Sequence, residues 1–106
     1  MIKNGMRPVH PGEILLEEFM KASDPPINAN TLAKALEVPA NRITAIIKGQ
    51  RGITGDTAVR LATFFHTTAE FWMNLQKTYE LRLAERALSS KVRKHIEQSR
   101  EALASA

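Results

Sequence analysis

The sequence predicts an all-α fold: a compact arrangement of five helices followed by a helical extension at the C-terminus. Three observations predict it. Apolar residues recur at three- and four-residue intervals along most of the chain, and no convincing strand interrupts them. Breakers at Ser23-Asp24-Pro25-Pro26, Val38-Pro39, Gln50-Arg51-Gly52-Ile53 and Ser89-Ser90 cut the periodic stretches into short pieces. Helix-capping residues, Asn28, Thr54 and Thr68, stand where new periodic stretches begin.

Taken in order, residues 1–9 form an arm carrying Lys3 and Arg7 and no acid, with Met6 as an alternative start. His10-Pro11-Gly12-Glu13 opens the first helix, with proline in the first turn and Glu13 near the positive end of the helix dipole. Leu15 and Phe19 face inward, Glu17, Glu18 and Lys21 face solvent, and the helix runs to about Ala22. Asn28 caps a second helix, Ala29 to about Leu36, with Leu32, Ala33 and Leu36 as its apolar repeat. Pro39 lacks an N–H and pushes Glu37-Val38 out of αR geometry, so a helix restarting at Ala40 must cross the second one steeply. Ile43, Ile46 and Ile47 turn that third helix inward, and Gly49 ends it in a left-handed conformation.

Thr54 caps a fourth helix whose inward face is Ala58, Leu61, Ala62 and Phe65, and Thr67-Thr68-Ala69-Glu70 reads as a capping box for a fifth. The fifth helix, to about Leu88, is roughly 30 Å long at 1.5 Å per residue. Trp72, Leu75, Tyr79, Leu83 and Ala87 line one of its stripes, and Leu81, Ala84 and Leu88 lie nearly opposite. A helix apolar on two faces must bury both, so either the second face meets another chain or the C-terminal segment folds back over it. Lys91 to Ala104 reads as a short, partly frayed helix with Val92, Ile96 and Leu103 on one side and Lys91, Arg93 and Lys94 as a solvated basic face. The domain plan is therefore an arm at 1–9, one helical domain at 10–88 and a basic helical tail at 89–106.

At 106 residues the chain holds one core, and its 43% hydrophobic and 25% charged content is ordinary for a globular protein. Without cysteine it has no disulfide, thiolate nucleophile or Cys-ligated zinc. No apolar run approaches a membrane span or a signal-peptide h-region, which makes a cytoplasmic protein the expectation. His10, His66 and His95 are far apart and outside any metal-binding spacing. Glu17 and Glu18 diverge by about 100° on a helix, which does not suit shared acid–base work. No phosphate loop follows a strand. The expectation is no enzyme, no metal and no cofactor.

A net charge of +4 fits a polyanionic partner, and its distribution is more informative than its total. The second and third helices read as a helix-turn-helix unit, whose second helix can enter a DNA major groove. With Ile43, Ile46 and Ile47 in the core, Asn41, Thr44, Ala45 and Lys48 form the opposite stripe, with Arg42 on its flank. Asn pairs bidentately with adenine, Arg and Lys reach guanine or phosphate, and Thr and Ala contact a thymine methyl. From Val38 to Gly55 the only charges are Arg42, Lys48 and Arg51, all positive.

The runs HPGEILLEEF (His10–Phe19), LAKALEVPANRI (Leu32–Ile43), IIKGQRGITGDTAVRLA (Ile46–Ala62) and EFWMNLQKTYEL (Glu70–Leu81) resemble the HigA antitoxin family, a branch of the lambda-repressor-like helix-turn-helix group. The resemblance spans about His10 to Leu88. It implies a five-helix, lambda-repressor-like DNA-binding domain that dimerises, represses its own operon at a palindromic double-stranded operator and neutralises a RelE-like, mRNA-cleaving toxin. The recognition-helix positions implied are Ala40, Asn41, Arg42, Thr44, Ala45 and Lys48. Flanking phosphate contacts fall on Asn28, Asn30, Thr31, Gln50 and Arg51. A symmetric dimer would read half-sites about 34 Å apart or a multiple of that spacing. Candidate partner or dimer contacts are Leu81, Ala84 and Leu88.

Two positions depart from the family pattern. Glu37 stands where the turn commonly has glycine; a positive φ there would cost Glu roughly 1 kcal/mol. Ala29 replaces a common phosphate-binding glutamine. Orphan regulators share these motifs, which keeps open a stand-alone regulator without a toxin, and the two departures favour a third reading, a helical protein-interaction module that no longer touches DNA.

Overall fold

The computed structural model describes residues 7–105, and every regular element among them is helical. Helix α1 (Pro11–Ile14) continues directly into a π-helical run, π1 (Leu15–Met20). After it come α2 (Ala29–Leu36), α3 (Ala40–Ile47), α4 (Gly55–Phe65), α5 (Ala69–Ala87) and α6 (Ser90–Ser105). The expectations for Lys3 and for Met6 as a start lie outside the described residues. Arg7, the described part of the arm's charge, is held by Glu13 through two 2.8 Å hydrogen bonds.

The chain entry is fixed locally. His10 caps α1, its Nδ1 accepting the Gly12 N–H at 2.9 Å, and Pro11 occupies the first turn, where its missing N–H costs nothing. Gly12 packs against the end of α3 so closely that a β-carbon would overlap the Ile46 carbonyl. The helix then widens: the Lys21 N–H reaches the Leu16 carbonyl five residues back. Closing the ring over five residues instead of four brings Leu15 and Met20 to the same side, and both are buried. Helical periodicity had pointed to Leu15 and Phe19 and passed over Met20.

Helices α2, α3 and α4 end alike. In each the backbone turns left-handed, at Glu37 (φ 58°), Gly49 (φ 73°) and His66 (φ 58°). After α2 the Val38 N–H bonds to the Ala33 carbonyl and the Glu37 N–H to Lys34, and after α3 Gln50 and Gly49 make the equivalent pair to Ala45 and Ile46. Only one of these three positions is glycine, so the strain anticipated at Glu37 is present and is repeated at His66.

The core gathers Leu15 and Met20 of π1, Leu32, Ala33 and Leu36 of α2, Ile43 and Ile46 of α3, Ile53, Ala58 and Leu61, and Trp72 of α5. Trp72 lies 4.8 Å from the Phe19 ring, ring centre to ring centre. Its indole N–H donates to Thr67 Oγ1 at 2.8 Å, so the largest core residue has its one polar atom satisfied.

Several expectations are corrected. Thr54 occupies the N-cap of α4, but its hydroxyl meets Thr57 Oγ1 at 3.5 Å and caps no backbone N–H. The capping box is not made: Thr68 caps the Phe71 N–H, which leaves Glu70 one residue early for the reciprocal bond, and Thr67 serves Trp72 instead. Leu83 and Ala87 do not share Trp72's burial; beyond Tyr79 every residue of α5 is exposed, Leu83 at 44%. The C-terminal segment does not fold back. It forms a full 16-residue helix, started by Ser89 Oγ accepting the Val92 N–H, and none of its residues is buried. The molecule is correspondingly long, 62 × 26 × 22 Å.

Two substitutions test this account of the turns and contacts by chemical denaturation. Glu37→Gly should stabilise the fold by about 1 kcal/mol, because glycine carries no β-carbon penalty at positive φ. Gly12→Ala should destabilise it by roughly 1–3 kcal/mol, the usual range for overpacking, with α1 pushed off α3.

Candidate nucleic-acid interface

Helix α3 is held from behind by apolar contacts and presents its other side to solvent. Ile43 and Ile46 are fully buried; Ala40, Asn41 and Lys48 are exposed, and Thr44 and Ala45 are half-buried between them. The stripe expected from spacing is therefore a single surface. Thr44 donates its hydroxyl to the Ala40 carbonyl at 3.1 Å, an internal bond that occupies its donor. Asn41 makes no hydrogen bond through its side chain among the described residues, so its amide can serve as both donor and acceptor.

Arg42 behaves differently. Its side chain is only 23% exposed and lies against the start of α4, where Nη1 donates to Asp56 Oδ2 at 2.6 Å. The same oxygen accepts from Arg60 Nε at 3.0 Å, and Arg60 Nη1 donates to the Leu36 carbonyl at 2.7 Å. The two guanidinium groups, Arg42 first, hold the Asp56 carboxyl below the usual carboxylate range. One acid thus connects α3, α4 and the end of α2.

The expected flanking residues are also open to solvent. Asn28, Asn30 and Thr31, at the start of α2, are exposed. Asn28 Oδ1 caps the Thr31 N–H at 2.8 Å, which leaves its NH2 group available for a phosphate oxygen. Ala29 is half-buried and packs on the core. Gln50 and Arg51 are exposed on the loop after α3.

Sequence reasoning missed what supports that loop. Gln76 of α5 is buried; its Oε1 accepts the Ile53 N–H at 2.8 Å and its Nε2 donates to Glu80 at 2.8 Å. Gly52 admits it closely, since a β-carbon there would come within 2.8 Å of Gln76 Nε2. On the other side of the loop His10, itself buried, meets Tyr79 edge-on at 4.8 Å. A polar residue on an otherwise apolar helix stripe, opposite a loop with unpaired N–H groups, was the available signal.

No metal-binding cluster occurs among the described residues, and none of their helices is long and apolar enough to cross a membrane. Leu81 and Ala84 are exposed, Leu81 at 52%, on the part of α5 that the domain does not cover, and Leu88, expected as the last residue of that helix, is exposed just past its end in an extended conformation.

Fold and surface together define a helix-turn-helix protein. No family model matches the chain. It is 53% identical to an addiction-module antidote protein of the HigA family from Coxiella burnetii, covering 84% of this chain and 95% of that one with a TM-score of 0.76. It is 46% identical to the antitoxin HigA of Pseudomonas aeruginosa, solved with the higBA promoter, covering 81% and 91% of the two chains with a TM-score of 0.76. Antitoxin HigA-1 of Vibrio cholerae is 36% identical over 81 residues, 76% of this chain and 74% of that protein. The chain belongs to the HigA antitoxin family.

The His10 contact predicts a pH dependence. Burial, opposed by Glu13 and the Arg51 backbone, lowers the His10 pKa, and a protonated Nδ1 could no longer accept the Gly12 N–H. The folded protein thus binds the proton less readily than the unfolded chain. The stabilising contribution is complete above the unfolded value of about 6.5 and is lost as pH falls below it. Urea midpoints measured from pH 8 to pH 5 should decline through this window. His10→Asn, which keeps an acceptor for Gly12, should remove that part of the decline.

Proposed function

We propose that the protein is a sequence-specific autorepressor and the antitoxin of a type II toxin–antitoxin module, acting in the cytoplasm as a homodimer. Residues 10–88 would form the DNA-binding domain and 89–106 an appended basic helix. The observation that carries the DNA half of this reading is the exposed stripe Asn41, Thr44, Ala45 and Lys48 directly opposite the buried Ile43 and Ile46. It supports insertion of α3 into a major groove. In that pose Asn41 offers both amide atoms to an adenine edge, the Ala45 methyl and the Thr44 methyl meet thymine methyls, and Lys48 reaches guanine or phosphate. Ala40 and Arg42 border this surface. Asn28, Asn30, Thr31, Gln50 and Arg51 take phosphates on either side and set the register of α3. The toxin half rests on family membership, and its object is a RelE-like mRNA-cleaving ribonuclease.

Exposed Leu81, Ala84 and Leu88 support a partner on the outer half of α5, since apolar side chains left in water on an extended helix are covered in a working assembly. We assign that face to dimerisation or toxin contact.

Binding to a duplex from the protein's own promoter, compared with a random duplex, tests the assignments residue by residue. Asn41→Ala should cost roughly 1–3 kcal/mol on the promoter and much less on random DNA. Equal losses on both would remove Asn41 from base reading. Arg51→Ala should weaken both duplexes alike and lower the salt slope by about 0.9. For the outer face, replacing Leu81 and Leu88 with Glu should reduce the sedimentation mass or abolish inhibition of a ribonuclease encoded beside the gene. An unchanged mass together with unchanged inhibition would remove that face from both roles.

A further inference from the structure

Beside the outward stripe of α3 sits a pair of opposite charges, Arg42 and Asp56. Between Val38 and Ala69 the only acidic residue is Asp56, set among Arg42, Lys48, Arg51 and Arg60. It stands in the first turn of α4, where its negative charge satisfies the helix dipole that would otherwise attract a phosphate. Its carboxylate takes Arg42 at 2.6 Å and is braced by Arg60, which is itself tied to the Leu36 carbonyl.

Two details make this pairing exchangeable. Asp56 is 56% exposed, so the bond to Arg42 sits at the water boundary, where ion pairs are weak. Arg42 is also incompletely satisfied: its Nε is buried and has no hydrogen-bond partner. The free protein therefore holds the one arginine of α3 in a contact that is adequate and can be replaced by a better acceptor.

We propose that Asp56 is a specificity-determining residue: it retains Arg42 against α4 on random DNA, and only an operator that offers Arg42 a well-placed acceptor draws it out. This rests on the reading of α3 as the DNA-reading helix. A lone phosphate of random DNA must displace a hydrogen-bonded carboxylate to gain Arg42, which cancels most of its attraction. A correctly placed base edge or phosphate in the operator adds directional bonds that a random site lacks. Asp56 thereby lowers non-specific affinity more than specific affinity, and the difference between the two is specificity.

The test compares wild type, Asp56→Asn and the double variant Asp56→Asn/Arg42→Ala on promoter and random duplexes across a salt series. Wild-type preference for the promoter establishes the underlying reading first; no salt-dependent duplex binding by wild type would overturn that reading itself. Given the preference, Asp56→Asn should bind random DNA roughly five- to tenfold more tightly at 0.1 M salt, with a slope steeper by about 0.9, as expected for one more phosphate contact. The promoter-to-random ratio should fall, and the double variant should lose the gain.

Unchanged random-DNA affinity with a folded Asp56→Asn protein would overturn the proposal. So would a gain that persists without Arg42, which would trace it to simple repulsion of phosphate by Asp56. Should Asp56→Asn fail to fold, the wild-type protein decides through the NMR signals of the Arg42 guanidinium. These should stay unshifted on random DNA and move on the promoter duplex; movement on both would contradict the proposal.

Discussion

The turn between α2 and α3 is the constraint on which the rest of the molecule depends. Its geometry requires a left-handed residue at position 37, and the chain supplies glutamate, which resists that conformation. The turn is held from outside: the Arg60 guanidinium bonds the Leu36 carbonyl, and Asp56 braces Arg60 while also receiving Arg42 from α3. Two further contacts set the far end of α3, where Gly12 admits the start of α1 against the Ile46 carbonyl and Gln76 captures the Ile53 N–H. With both ends fixed, Ile43 and Ile46 lock into the core and the opposite stripe has no freedom but to face outward.

Much of this was legible in the residues. Pro39 and the isoleucine spacing located α2 and α3, Asn28 marked a cap that the structure makes at 2.8 Å, and Gly49 marked the left-handed end of α3. What was not legible has two physical origins. Helical periodicity assumes a constant step, so the π-helical widening at Leu15–Met20 placed Met20 in the core without a signature. Contacts between distant segments, such as Asp56 with Arg42 and Gln76 with Ile53, depend on the crossing of helices and leave no local pattern. Arg42 shows the consequence. Spacing put it beside the reading stripe, whereas tertiary structure ties it to α4.

The second half of the chain obeys a different logic. Up to Tyr79, α5 is part of the domain; beyond it, α5, the junction and α6 carry Leu81, Leu83, Leu88, Val92 and Ile96 in solvent. Most helical stability in proteins comes from packing an apolar face, and α6 buries none of its residues. On the proposed function the domain and the extension divide the work: one presents α3, and the other offers apolar surface whose burial would join two copies or a toxin. A doubled α3 would convert a modest single surface into recognition of a palindrome.

The most direct test of this account is hydroxyl-radical footprinting of the wild-type protein on DNA upstream of its own gene. Two protected patches on one face of the duplex, related by a palindrome and centred about one helical turn or a multiple apart, are the predicted result. Uniform weak protection along the fragment, or none, would contradict it.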